Sequence, residues 1–374
     1  MSIISHESIL TLPRVARLNW AYAVADKRDL RIDLLRGFAV FVMVVNHFGG
    51  ASWLYYITGN NSFFVSGAEA FVFISGVVVG MVYGGIALKQ GLSVAQRKAF
   101  ERAWTLYKLT IILTLLLATV STLFRLPWAD SVSIDNPLTF LIDVLLLRQT
   151  FYLSDVMLLY TFLMVAAVGA LWLLLTGRTG WLQSISVMLW GGYQLYGIDV
   201  SWHIQNNTTF NLAAWQLLFF VGMAIGYHRE TLKTALSTLP RLPYLILSAL
   251  LMAILVQIYS TEGVWSNALF LKSAVAPGRL LASVIVFQFA YLMATMLWKP
   301  IFASLGWLLM PLGQNALYAY TIHIALIGIV HIVNGYLPIN LAMIGTLNTS
   351  LQIMTVLTIW AMIRKQFLFN LIPR

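Results

Sequence analysis

Arg36 and His47 are the residues in this chain whose types and spacing most directly suggest chemistry. They lie in "RIDLLRGFAVFVMVVNHFGG", residues 31–50, which begins with charges, runs apolar over residues 37–45 and stops on Asn46, His47 and two glycines. On a helix, residues eleven apart differ by only about 20° in direction and sit about 16 Å apart along the axis. The cation and the imidazole therefore share one face, with Asp33, Val40 and Val44 close to the same stripe. Such a stripe could hold an anionic group at its arginine and act on the other end of the same molecule through the histidine. The alternative is that Arg36 snorkels to a membrane surface and His47 ends the helix near water. Spacing alone does not choose between them.

The next apolar segment opens with "FFVSGAEAFVFISGVVVG" and places Glu69 where a lone ionised carboxylate would be costly, so it must be neutral or paired. Arg36 or Arg31 is the expected partner, and Glu69 serves either that pairing or the orientation of His47. Gly67, Ser75, Gly76 and Gly80 are small enough to let helices approach closely. Further on, Arg97, Lys98 and Arg102, with Lys108 a little deeper, form a basic cluster running into the third apolar segment. It reads as a topology anchor, and arginine forks also suit phosphate groups. His323 and His331 are eight residues apart with about 80° between their directions. No third ligand accompanies them and HExxH is absent, so no metal site is expected. His203 and His228 fall in loops. GxSxG and GxxxxGK are also absent, which argues against an α/β-hydrolase or P-loop mechanism.

The elements that must position these groups are membrane helices. Of 374 residues 60% are hydrophobic and 10% charged, against about 25% charged in a soluble domain. Apolar runs of about 20 residues recur from Leu34 to the C-terminus. The expectation is an all-α polytopic protein with about ten spans, near 34–50, 63–88, 103–124, 154–176, 181–198, 211–227, 242–259, 279–298, 314–334 and 341–363. Residues 31–374 would form the membrane domain and 1–30 a cytoplasmic segment. Within that segment, residues 8–24 read equally as an interfacial helix or a tail. No signal peptide is evident. With both termini inside, Arg125, Arg148, Lys272 and Arg279 are the outer basic residues and nearly all the others of the 23 Lys and Arg are inside. The acidic residues show no such bias. The stretch "PLTFLIDVLLLRQTF" is too short and charged to span and reads as an outer interfacial or re-entrant helix. The net charge of +10 follows topology, with no basic–aromatic stripe for nucleic acid. No cysteine is present, so disulfides and thiolate chemistry are excluded.

The stretches "RDLRIDLLRGFAVFVMVVNH", "GAEAFVFISGVVVG", "YLSDVMLLYTF", "FNLAAWQLLFFVGMAIG" and "GQNALYAYTIHIAL" together resemble the OpgC family of membrane acyltransferases. The family is related to the broader group called acyltransferase three, whose arginine, ten residues, histidine pattern corresponds to Arg36 and His47. The resemblance covers nearly all the chain from residue 28. It implies transfer of an acyl group from cytosolic acyl-CoA, succinyl-CoA or acetyl-CoA, to a carbohydrate hydroxyl on the far side of a bacterial inner membrane, a periplasmic glucan being the family's association. On this resemblance His47 is the catalytic histidine, Arg36 contacts the acyl-CoA, and Arg97, Lys98 and Arg102 meet the CoA phosphates. Glu69 or Asp33 orients the imidazole or balances the arginines, and Asp155, Trp215, Gln216, Gln314 and Asn315 shape the donor or acceptor pocket. Expected partners are acyl-CoA, a glycan and membrane lipids, with homo-oligomerisation open. Two other readings remain: a transporter or flippase of an anionic lipid or glycan, and a scaffold within an envelope complex. A transporter would more often show paired broken helices in two related halves, and no such repeat is visible.

Overall fold

A computed structural model of the chain describes residues 20–22, 28–126, 136–151, 153–197, 204–205, 207, 209–262, 268–337 and 340–373. In chain order the α-helices are α1 (Leu30–Asn46), α2 (Tyr55–Thr58), α3 (Gly67–Gln90), α4 (Leu92–Phe124), α5 (Pro137–Leu145), α6 (Asp155–Leu175) and α7 (Thr179–Tyr196). They continue with α8 (Leu212–Tyr227), α9 (Arg229–Ser237), α10 (Arg241–Glu262), α11 (Pro277–Met296), α12 (Trp298–Gln314), α13 (Ala316–Gly335) and α14 (Gly345–Arg364). The described residues are otherwise turns and short 3-10 segments, with one isolated bridge between Gln149 and Gln205.

Seven of these helices, α3, α4, α6, α10, α11, α13 and α14, are long and apolar enough to cross a membrane. The remaining three expected spans fall short of that standard for visible reasons. Helix α1 has 17 residues and carries Arg31, Asp33 and Arg36, and α8 has only 16. Helix α7 includes Gln183, Ser184, Ser186 and Gln194. The expected span boundaries also shift: α1 starts at Leu30, with the Asp29 side chain accepting from the Arg31 N–H at 3.1 Å, and stops at Asn46. Helix α4 runs 33 residues, about 50 Å at 1.5 Å per residue, so its basic first turns extend the third span beyond a hydrocarbon core of about 30 Å. The expected outer interfacial helix is confined to α5, nine residues capped by Asn136 with Pro137 in its first turn. The proposed surface segment 8–24, apart from residues 20–22, and His203 lie outside the described residues.

Helix α12 was not expected from hydropathy. Its two ends return to the same end of α1: Trp298 meets the Tyr22 ring edge-on at 4.9 Å, Tyr22 packs on Arg31, and Gly313 lies against the Asp33 carbonyl. It therefore turns back between α11 and α13 and adds no further crossing between them. Residues 20–22 dock beside it, with Lys299 N–H donating to Trp20 O at 3.0 Å and Tyr22 N–H to Thr295 O at 2.8 Å.

Close helix approach depends on glycine. In α3 a Cβ on Gly76 or Gly80 would strike the backbone of Phe219 or Met223, and in α8 one on Gly222 or Gly226 would strike that of Phe73 or Val77. Two small-xxx-small seams thus face each other. Gly37 of α1 and Gly313 of α12 make a second such contact, against Leu309 and Asp33. Around these seams the core buries Trp215, Phe219, Tyr318 and Tyr320 completely.

Candidate functional site: two histidines above a pair of arginines

At the inner end of α1, in the orientation expected from the sequence, Arg36 is fixed by neighbours on two elements. Its Nε donates to Gly313 O at 2.5 Å and its Nη2 to Asp33 Oδ1 at 3.3 Å. Asp33 also pairs with Arg28 at 2.7 Å. Asp33 therefore balances arginines, and it is 14 residues from His47, about 21 Å along the helix. The idea that it orients the imidazole is corrected by that distance. Arg102 of α4 lies near enough for its charge to act on Arg36, and both act on the Tyr160 hydroxyl of α6. Lys98 is one turn away on the same face of α4, whereas Arg97 points elsewhere, exposed and 3.7 Å from Glu101. The expected basic group thus splits, with Arg102 and Lys98 on the face of α4 that carries charge towards Arg36 and Arg97 exposed beside Glu101.

An aromatic column leads away from the arginines. Tyr160 meets Phe71 at 5.4 Å between ring centroids, Phe71 stacks on Tyr320 at 6.1 Å, and Tyr320 meets His323 at 4.8 Å and His47 at 6.5 Å. Two hydroxyls lock the column to backbone, Tyr160 to Phe71 O at 2.9 Å and Tyr320 to Leu153 O at 2.7 Å.

His47 caps α1 with helical backbone angles, so the face it shares with Arg36 continues to the end of the helix. Its Nδ1 is 2.9 Å from Nε2 of His323, and the two rings stack at 5.1 Å with 27° between planes. His323 is fully buried, in the core of α13. Its Nδ1 has no partner in hydrogen-bonding geometry, and the nearest polar groups are the Ala319 and Tyr320 carbonyls of its own helix. We assign the ring proton to His323 Nδ1, because the carbonyls on that side accept only; with that assignment His323 Nε2 is the acceptor and His47 Nδ1 the donor. That tautomer leaves His47 Nε2 with a free lone pair. His331 instead bonds Ile327 O at 2.9 Å and does not join the pair.

Glu69 pairs with Arg279 of α11, not with Arg36 or Arg31. Its Oε1 accepts from Arg279 Nε, while Oε2 accepts from the Ser66 N–H at 2.9 Å and the Ser66 hydroxyl at 2.5 Å, closing a capping box on α3. With both oxygens engaged, Glu69 ties α3 to α11 and does not contact His47 in the described geometry. Lys272, in the connection before α11, stands within electrostatic reach of His47, Glu69, Arg279 and Asp155. Burial pushes its ammonium below the usual range, against the opposing pull of Glu69. Lys272 and Asp155 are both partly exposed.

The remaining expected pocket residues lie elsewhere. Trp215 donates from Nε1 to Thr209 O at 2.9 Å, and Gln216 bonds Ser186 and Ala213, so both hold α8 in place. Gln314 is exposed and Asn315 bonds Pro311 O at 3.0 Å, which puts both beside Gly313 and Arg36, at the opposite end of α1 from His47. Sequence reasoning missed His323, Tyr320 and Lys272 as site residues, and Arg279 as the partner of Glu69. The first two lie within "GQNALYAYTIHIAL", but spacing along one helix relates His323 only to His331, and its partner is 276 residues away. Among the described residues no three His, Asp or Glu side chains come together as metal ligands would.

A family model described as OpgC protein matches residues 28–368. No curated protein and no solved structure matches the chain. The matched segment begins two residues before α1 and ends after α14, taking in both the arginine end and the histidine pair. This chain, a membrane protein by its apolar helices, belongs to the OpgC family.

Proposed function

We propose that this protein is a membrane O-acyltransferase that takes an acyl group from acyl-CoA on the cytoplasmic side and transfers it to a glucan hydroxyl on the outer side, succinyl or acetyl being the group moved. Family membership supports acyl transfer to glucans. The observation that carries the mechanism is the His47–His323 pair, 2.9 Å apart at the far end of the helix that holds Arg36.

The donor's phosphates sit at Arg36, Arg102 and Lys98, whose charges favour an anion. To reach the histidines its thioester arm has to pass the buried column of Tyr160, Phe71 and Tyr320. The acceptor hydroxyl binds near His47, with Lys272 and Asp155 close by. His47 Nε2 takes the hydroxyl proton as the oxygen attacks the thioester carbonyl. The C–S bond breaks as the ester C–O bond forms, and the CoA thiolate recovers the proton from the imidazolium. His323 accepts from His47 Nδ1–H throughout, holding the ring and its tautomer, the role a buried carboxylate plays in a serine triad.

The test incubates purified protein with labelled acetyl-CoA and succinyl-CoA and a glucan oligosaccharide. Label should enter the glucan as free CoA thiol appears in equal amount. Absence of binding and turnover for every acyl-CoA would overturn the reading.

A further inference from the structure

A large cleft lies apart from the donor path. It encloses about 1610 Å³, well above the roughly 300–1,000 Å³ of a small-molecule pocket, between α1, α3 and α8 on one side and α10 and α11 on the other. Its walls are apolar along the middle, with Val42, Val77, Leu217, Val221, Met252 and Phe287 facing the space. Arg36, His47, His323 and Lys272 do not line it. The cleft persists because α10 and α11 are held to the bundle at separated points: Arg31 to Thr295 at 2.8 Å, Phe73 on Phe287 at 4.9 Å, and Tyr259 to Ser62 at 2.7 Å.

Charge is concentrated at one mouth. Arg31, Arg229, Lys233 and Arg241 line it, against the carboxylates of Asp29 and Glu230. Asp29 is held by Arg31 at 2.6 Å, and Glu230 is shared by Arg229 at 3.1 Å and Lys233 at 4.0 Å. Four cations and two anions leave this mouth at +2. It is the same end of the molecule as the Arg36 end of α1, since Arg31 and Thr295 join there. The opposite mouth is formed by the 55–60 segment with Ser66 and Ser260, none of them charged.

An apolar gap of this size in a membrane fills with hydrocarbon, and a basic rim between helices favours a phosphate headgroup. We infer that the cleft is a binding site for one anionic glycerophospholipid, its phosphate at Arg229, Lys233 and Arg241 and its acyl chains along α8 and α11. A glucan would find few polar partners on these walls. The site is separate from the acyl-transfer reading and would stand if the chain moved no acyl group.

The test is native mass spectrometry of the full chain in detergent with added phosphatidylglycerol or phosphatidylcholine of identical acyl chains. Two net positive charges predict retention of phosphatidylglycerol about 30-fold tighter than phosphatidylcholine. The combined change Arg229→Ala, Lys233→Ala and Arg241→Ala should abolish that preference. Val221→Trp, which leaves the basic rim intact and fills the cleft, should reduce retention of phosphatidylglycerol. Equal retention of the two lipids overturns the inference. So does unchanged phosphatidylglycerol binding in Val221→Trp, because the lipid would then sit on the surface and not in the cleft.

Discussion

In the proposed mechanism the chemistry at His47 turns on which ring nitrogen carries the proton, which the contact with His323 at 2.9 Å would set. Replacing His323 by Phe preserves ring volume but removes the acceptor, so His47 can hold the wrong tautomer. His323→Phe should lower kcat by roughly a hundredfold or more while acyl-CoA binding stays unchanged. His323→Gln, whose amide oxygen can still accept, should recover part of the loss. A matched fall in donor affinity and kcat, with no rescue by Gln, would reduce His323 to a packing residue. Glu69 and Arg279 make the contrasting case of a buried pair that holds elements together. Glu69→Gln leaves the Arg279 guanidinium buried without its counter-charge and should cost about 3–5 kcal/mol in thermal or denaturant unfolding. Glu69→Leu with Arg279→Met should cost much less than the sum of the single changes, which a double-mutant cycle measures.

At the scale of helices, the α3–α8 seam predicts sharply position-dependent glycine effects. Gly80→Leu would drive a side chain into the Met223 backbone and should prevent accumulation of folded protein, while Gly169→Ala, facing open space on α6, should be neutral or stabilise by up to about 1 kcal/mol. Equal expression and melting of both variants would show that the seam is not a tight contact. The α3 half of the seam was legible in the sequence because "GVVVG" is local and carries its own spacing, whereas its pairing with Gly222 and Gly226 of α8 was not. The shared face of Arg36 and His47 was legible for the same reason. Helix α12 was hidden by composition: Lys299, Pro300, Ser304 and Pro311 dilute its apolar signal, and its place depends on Gly313 meeting α1. The His47–His323 pair was equally hidden, because residues 276 apart meet only when α13 packs on α1. Glu69 was recognised as needing a partner, but nothing local indicated that Arg279, 210 residues later, would supply it.

Across the whole molecule the polar groups are sorted by depth. Arg28, Arg31, Arg36 and Arg102 gather at one end of α1, two histidines, Lys272 and the Glu69–Arg279 pair gather at the other, and aromatic rings fill the interval of about 16 Å along the helix. This separation suits a reaction in which one substrate arrives from each side. It predicts that Arg36→Ala and Arg102→Ala each weaken acyl-CoA binding, while Arg97→Ala, exposed and turned towards Glu101, does so little. Isothermal titration with a non-hydrolysable acyl-CoA analogue distinguishes them, and equal affinities in all three variants would remove the arginines from the donor site. The most direct test of the central claim compares His47→Ala with the wild-type chain in two measurements on one preparation, acyl-CoA binding and label transfer to glucan. Loss of a general base predicts transfer reduced by about 10²–10⁴-fold with donor affinity within a factor of about two. Transfer at the wild-type rate in His47→Ala would contradict it.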